Sequence, residues 1–257
     1  MPENSDLIYL RPRASVRYMR CKWLCVLLYM LAATANGEPR QQVSASSPSI
    51  LMSVGRLLVP GRRMEDGYER HYRESCSATL LEPEKGEAVS LILTAWHCLE
   101  HHSDLTDDIT FVIESTSGER LQRSVQPVSS GGGMHADWLL MRLREPLPAD
   151  TVISATLTRE AAPGIGSRVM MAGYSRDKGL GKAGQVLTFH RNCKVVARSD
   201  EDIATDCLAY RGASGGAVFS VATGRLLGVI SRGDSLAQSI FVPTSRIPQR
   251  AGRSLLY

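Results

Sequence analysis

Three short stretches combine residue types that could transfer an acyl group. In Arg211-Gly212-Ala213-Ser214-Gly215-Gly216 a serine is flanked by glycines. Such a turn can expose a hydroxyl nucleophile with free backbone N–H groups beside it, ready to stabilise an oxyanion. In Leu91-Ile92-Leu93-Thr94-Ala95-Trp96-His97-Cys98 an apolar strand runs straight into a histidine, the usual general base for such a serine. In Ala136-Asp137-Trp138-Leu139-Leu140-Met141-Arg142-Leu143 a carboxylate stands at the mouth of an apolar strand. Buried beside a histidine, that carboxylate would hold the imidazole in one tautomer and stabilise the imidazolium that forms.

A scaffold must bring these stretches together. Expected strands are Val54–Val59, Ser75–Leu81, Val89–Thr94, Ile109–Glu114, Arg120–Val125 and Trp138–Leu143, then Arg168–Tyr174, Gln185–Val196, Ala217–Val221, Leu226–Ser231 and Ser239–Val242. Short apolar runs broken by Gly, Pro, Asp and Ser point to an all-β barrel or sandwich. Residues 145–166 carry three prolines without a strong period and read as a connector between two halves. The glycine-rich runs 129–133 and 178–184 precede no helix that could receive a phosphate, so they read as surface loops.

The first 35 residues stand apart. A basic flank is followed by the apolar run Trp23–Leu31 and the small-residue pattern Ala33-Thr34-Ala35, the form of a cleaved secretory signal. The run falls short of the ~20 apolar residues of a spanning helix. Without this segment the chain has 25 basic and 24 acidic residues, and nothing in that balance points to nucleic acid. Residues 36–53, rich in Ser, Gln and Pro, read as a linker or short propeptide, and 54–257 as the functional domain. Cys76, Cys98, Cys193 and Cys207 remain after cleavage. In an exported chain they suggest two disulfides, with three connectivities open. The expectation is a secreted protein, periplasmic or extracellular, with no stable membrane association.

The order His97, Asp137, Ser214 and the motifs around it resemble the chymotrypsin/trypsin-like serine endopeptidases over about residues 53–245. Cys76–Leu81 resembles the first disulfide strand, Thr94–Cys98 the histidine motif, Asp137–Leu143 the aspartate strand, Gly212–Gly216 the nucleophile motif and Leu227–Gly233 the cleft strand. Cys207, seven residues before Ser214, is similar to the compact bacterial glutamyl-endopeptidase-like group.

The resemblance implies two antiparallel six-stranded Greek-key β-barrels, about 54–145 and 165–245, with the active site between them. It implies a triad of His97, Asp137 and Ser214, oxyanion donors at Gly212 and Ser214, and Ser231 bonded to the aspartate. Cystine pairs Cys76–Cys98 and Cys193–Cys207 follow, with protein or peptide substrates and no metal or cofactor.

Three departures bear on how such a site would work. Ala213 stands where trypsin-like zymogens carry the aspartate that pairs with a freed N-terminus, so activation by that ion pair is not expected. Leu208 stands in place of the aspartate that selects basic side chains. Ala209 and Ser231 stand in place of the residues that select glutamate. A neutral pocket lined by Leu208, Ala209 and Ile230 is expected, with Arg232 at its wall able to favour acidic groups. The rival reading is a catalytically silent binding protein of the same fold. A chaperone-protease of the periplasmic type would need a peptide-binding domain, and the sequence reaches Tyr257 about fifteen residues past the last expected strand. His97, Cys98, His101 and His102 cluster like metal ligands, but the triad and the cystine have prior use for the first two.

Overall fold

The computed structural model describes residues 38–83, 87–100, 102–157, 161–200, 202–233 and 238–248. The expected signal segment and His101 lie outside them. Contacts divide the chain into Met1–Glu38 and Pro39–Tyr257, and every element below belongs to the second unit.

Thirteen strands form among the described residues, the first a short β1 (Arg40–Gln42). The first barrel comprises β2 (Val54–Glu65), β3 (Tyr68–Leu80), β4 (Val89–Thr94), β5 (Thr110–Glu114), β6 (Arg120–Ser130) and β7 (Leu139–Leu147). It closes in the order β2-β3-β4-β7-β6-β5. The second comprises β8 (Arg168–Gly173), β9 (Thr188–Arg198), β10 (Ile203–Thr205), β11 (Ala217–Ser220), β12 (Leu226–Gly233) and β13 (Ser239–Pro243). Its order, β9-β10-β13-β12-β11-β8, closes through β8 against β9. Both barrels therefore follow one antiparallel topology, the Greek-key arrangement expected.

Alternation explains how two barrels share a core. Val169 and Met171 of β8, Val218 of β11 and Leu227 of β12 join an apolar cluster drawn from the second barrel alone. Their neighbours Met170, Ala172, Ala217, Phe219 and Leu226 point to the opposite faces and join the cluster that fills the first barrel. Strands buried on both faces need near-continuous apolar runs, which is why Val169-Met170-Met171-Ala172 shows no alternation.

Two features exceed the expectation. β2 and β3 pair from Val54 with Thr79 out to Glu65 with Tyr68, so the hairpin projects far beyond its barrel. Asp66 and Gly67 turn it with φ of 53° and 81°, the positive pair of a type I′ turn. From Arg40 onward, the stretch expected as a linker or short propeptide is bonded to the body. β1 pairs with β9 through Arg40–His190, Gln41–Phe189 and Gln42–Thr188, and Leu51 is fully buried in a 3-10 turn (Ser49–Ser53).

Phe111 is fully buried, with its ring over Gly55 where a Cβ would meet it at 2.4 Å. Phe111→Ala should therefore lower unfolding free energy by about 3–5 kcal/mol. A urea titration should show a shifted midpoint with an unchanged slope.

Candidate active site

Asp137 sits just before β7 in an inverse γ-turn, with φ −75°, ψ 64° and the Trp138 N–H bonded to the Ala136 carbonyl at 2.7 Å. The turn aims its carboxylate inward, where it is fully buried. His97 lies in the 3-10 turn Trp96–Leu99 that follows β4. Cys98 of that turn pairs with Cys76 of β3 at disulfide distance, 2.05 Å between sulfurs, which ties the turn to the barrel wall.

The two side chains meet squarely. The His97 backbone N–H donates to Asp137 Oδ1 at 2.9 Å, and His97 Nδ1 lies 2.8 Å from Oδ2. An ionised carboxylate can only accept, so Nδ1 carries the hydrogen and Nε2 is left as the basic nitrogen. Ser231, at the far end of β12, donates its hydroxyl to the same Oδ2. Burial disfavours the charge on Asp137. The bonds from the His97 ring and the Ser231 hydroxyl, the His97 charge and the His97 amide outweigh it and hold the carboxyl below its ordinary value.

Ser214 is half-buried in the turn before β11 and lines a cleft of about 550 Å3 together with His97, Ala209, Tyr210, Arg211, Ile230, Ser231 and Arg232. Its Oγ donates a long 3.4 Å bond to the Ser231 carbonyl. Rotation about χ1 is what would bring it toward His97, and such bonds are often loose in a free enzyme.

The amides beside it are turned with care. The Arg211 carbonyl accepts from the Arg176 N–H at 2.7 Å, and the Ala213 carbonyl accepts from the Gly216 N–H at 2.9 Å. In a planar trans peptide the N–H points away from the C=O. The N–H groups of Gly212 and Ser214 thus face the other way, and among the described residues neither has a partner. Gly212 has φ 95°, and a Cβ there would lie 2.6 Å from the Tyr174 carbonyl.

Sequence reasoning missed Ser77, which joins this loop to the first barrel. Its N–H donates to the Ser214 carbonyl at 2.7 Å, and its hydroxyl donates to the Gly212 carbonyl while accepting from the Tyr174 N–H, both at 2.9 Å. Glu74, also on β3, lies 3.0 Å from Arg176 and 3.6 Å from Arg211. Only the place of Ser77 immediately after Cys76 could have drawn attention to it.

The expected pocket residues separate. Ala209, Ile230 and Arg232 line the cleft, but Leu208 does not. The Leu208 N–H is held instead by His190 Nδ1 at 3.0 Å, beside the Cys193–Cys207 pair. Arg232 is bonded to Asp202, which satisfies its charge within the chain. Among the described residues one metal-ligand grouping occurs, His190 with Cys193 and Cys207, and the two cysteines are spent on each other.

Two closed six-stranded barrels with this site between them define the chymotrypsin-like fold class. Residues 76–229, more than half of the sequence, match the model of the trypsin-like peptidase domain, and the chain belongs to that family. No curated protein sequence matches it. Among solved structures, it is similar to a serine endoprotease from Yersinia pestis at 16% identity and TM-score 0.55, covering 80% of this chain and 64% of that one. It is also similar to Deg5, at 15% identity and TM-score 0.55, covering 77% of this chain and 87% of that one. At these identities the likeness concerns the fold, and the chain spans under two thirds of the Yersinia protein.

Two predictions follow from the geometry. Ser77→Ala leaves the Gly212 carbonyl and the Tyr174 N–H without their shared partner, and should lower stability by about 1–3 kcal/mol in chemical unfolding. Asp137 titrates lower in the folded chain than the ordinary ~3.9 of an unfolded aspartate. Its contribution is therefore complete above that value and is lost as pH falls through the folded one. The stability gap between wild type and Asp137→Asn, followed by urea unfolding, should shrink as pH falls below about pH 4.

Proposed function

We propose that the chain is a secreted serine endopeptidase, with residues 54–257 as its peptidase domain, working through Ser214, His97 and Asp137. His97 Nε2 takes the Ser214 proton as Oγ attacks the scissile carbonyl, then returns it to the leaving amine, and water hydrolyses the acyl-enzyme. Gly212 and Ser214 donate their N–H groups to the oxyanion. The observation that carries this reading is a fully buried Asp137 doubly bonded to His97, on a cleft that also holds Ser214.

The cleft supports a neutral preference. Ala209 and Ile230 present small and apolar surface, and Arg232 is matched by Asp202. Cys207 ahead of Ser214, paired with Cys193, supports kinship with the glutamyl-endopeptidase-like group without its glutamate selection. Two cysteine pairs at disulfide distance support secretion. No helix of the described residues is long and apolar enough to cross a membrane.

A fluorophosphonate probe should label wild type at Ser214, and Ser214→Ala should abolish both labelling and peptide hydrolysis. Folded wild type that resists the probe would favour the catalytically silent reading. A peptide-library profile should show apolar or small residues before the cleaved bond; strong Lys, Arg or Glu preference would overturn the neutral pocket.

A further inference from the structure

Ala213 is buried at 1% exposure within the second barrel's apolar cluster, and carries no charge to hold the turn it precedes. Something else must fix the Arg211–Gly212 peptide with its N–H toward the cleft. Among the described residues its carbonyl, that of Arg211, accepts from the Arg176 N–H, while Ser77 holds the Gly212 carbonyl on the other side. Arg176 belongs to the loop after β8, so the tilt of the Arg211–Gly212 peptide depends in part on where that loop stands.

The loop is anchored from the N-terminal side of the chain. Arg40 of β1 is 4% exposed, and its guanidinium lies 2.8 Å from Asp177 Oδ1, next to Arg176. Asp177 in turn accepts from the Gly181 N–H at 3.2 Å and offers its carbonyl to the Ala183 N–H at 2.9 Å, which closes the loop on itself. The same guanidinium stacks over the Tyr210 ring at 4.1 Å. Tyr210 is two residues before Gly212, and its carbonyl accepts from the Ala213 N–H at 2.9 Å. One buried cation thus touches both sides of the Arg176–Arg211 hydrogen bond. The strand bearing it is secured to β9, and Gln42 adds a bond to the Leu180 carbonyl at 2.7 Å.

We propose that Arg40 is a positioning residue for the oxyanion site, clamping the Asp177 loop against Tyr210 so that the Gly212 N–H faces the cleft. It does from within the chain what a freed N-terminus would do through a carboxylate at position 213. Chain upstream of Arg40 is then no obstacle to activity, whereas its side chain is required. The proposal rests on the serine-peptidase reading above.

The test compares wild type, Arg40→Gln and Arg40→Lys on a substrate chosen by library profiling, with a peptide aldehyde whose adduct oxygen occupies the oxyanion site. Removing an oxyanion donor costs 10²–10³ in kcat, and loosening one should cost roughly tenfold. Arg40→Gln should lose that factor in kcat with KM within about twofold, and bind the aldehyde weaker by the same factor. Arg40→Lys, which keeps the charge beside Asp177, should recover part of both. Should Arg40→Gln fail to fold, Asp177→Asn keeps β1 and the stacked ring and should show the same kcat loss. Folded Arg40→Gln or Asp177→Asn with wild-type kcat and aldehyde affinity would overturn the proposal while leaving the peptidase reading intact. Wild type that neither cleaves peptides nor reacts with the probe would remove that reading first.

Discussion

A carboxylate with no exposure to water constrains the whole molecule. Stripping Asp137 of solvent would cost several kcal/mol if its charge were not met by donors held in place. Those donors come from both barrels. His97 supplies its ring and its amide from the turn after β4, and Ser231 supplies a hydroxyl from β12. Asp137 can keep its charge only while the barrels stay in register, so their seam and the tautomer of His97 are secured by the same three bonds.

Ser77 extends that seam to the other end of the cleft. Its carbonyl accepts from the Thr94 hydroxyl at 2.7 Å, within the first barrel, while its N–H and hydroxyl reach Ser214 and Gly212 in the second. A residue one removed from Cys76 is in turn held by the Cys76–Cys98 link, whose other half follows His97. The His97 turn and the Ser214 turn are thus both fastened to β3. Precision of this kind matters because oxyanion stabilisation depends on donors that need not reorganise as charge develops.

Much of the framework could be read from the sequence because it obeys local rules. Short apolar runs broken by turn residues marked the barrel strands, and a histidine or aspartate at the end of an apolar strand stood out by position. What escaped is what depends on distance along the chain. β1 and β10 are three residues each, too short for a period to show. The outer part of the β2–β3 hairpin is mostly polar and exposed, and Arg62, His71 and Arg73 find partners in the distant stretch Ser103–Asp107, so no buried face announces it. Leu208 was expected in the pocket from its spacing to Ser214. Its amide is bonded to His190, eighteen residues away in sequence, a contact that no local spacing announces. Arg40 sat in a Ser- and Gln-rich stretch without pattern, and its partner Asp177 lies 137 positions later.

Ala213 links the two halves of this account. The Cα and Cβ of Ala213 approach the Gly173 backbone so closely that a Cβ on Gly173 would meet them at 2.8 Å. A carboxylate in this space would lie among Val169, Met171, Val218 and Phe241 with its charge unmet unless a cation followed it in. With alanine there the turn is neutral and well packed, but it loses the charged anchor that would have oriented it. Orientation must then come from hydrogen bonds on the outer side of the loop, where Arg176, Glu74 and Asp177 are found. The buried cation lies instead behind the loop, as Arg40. Burial of that guanidinium is tolerated because Asp177 meets its charge on one edge and the Tyr210 ring covers its face.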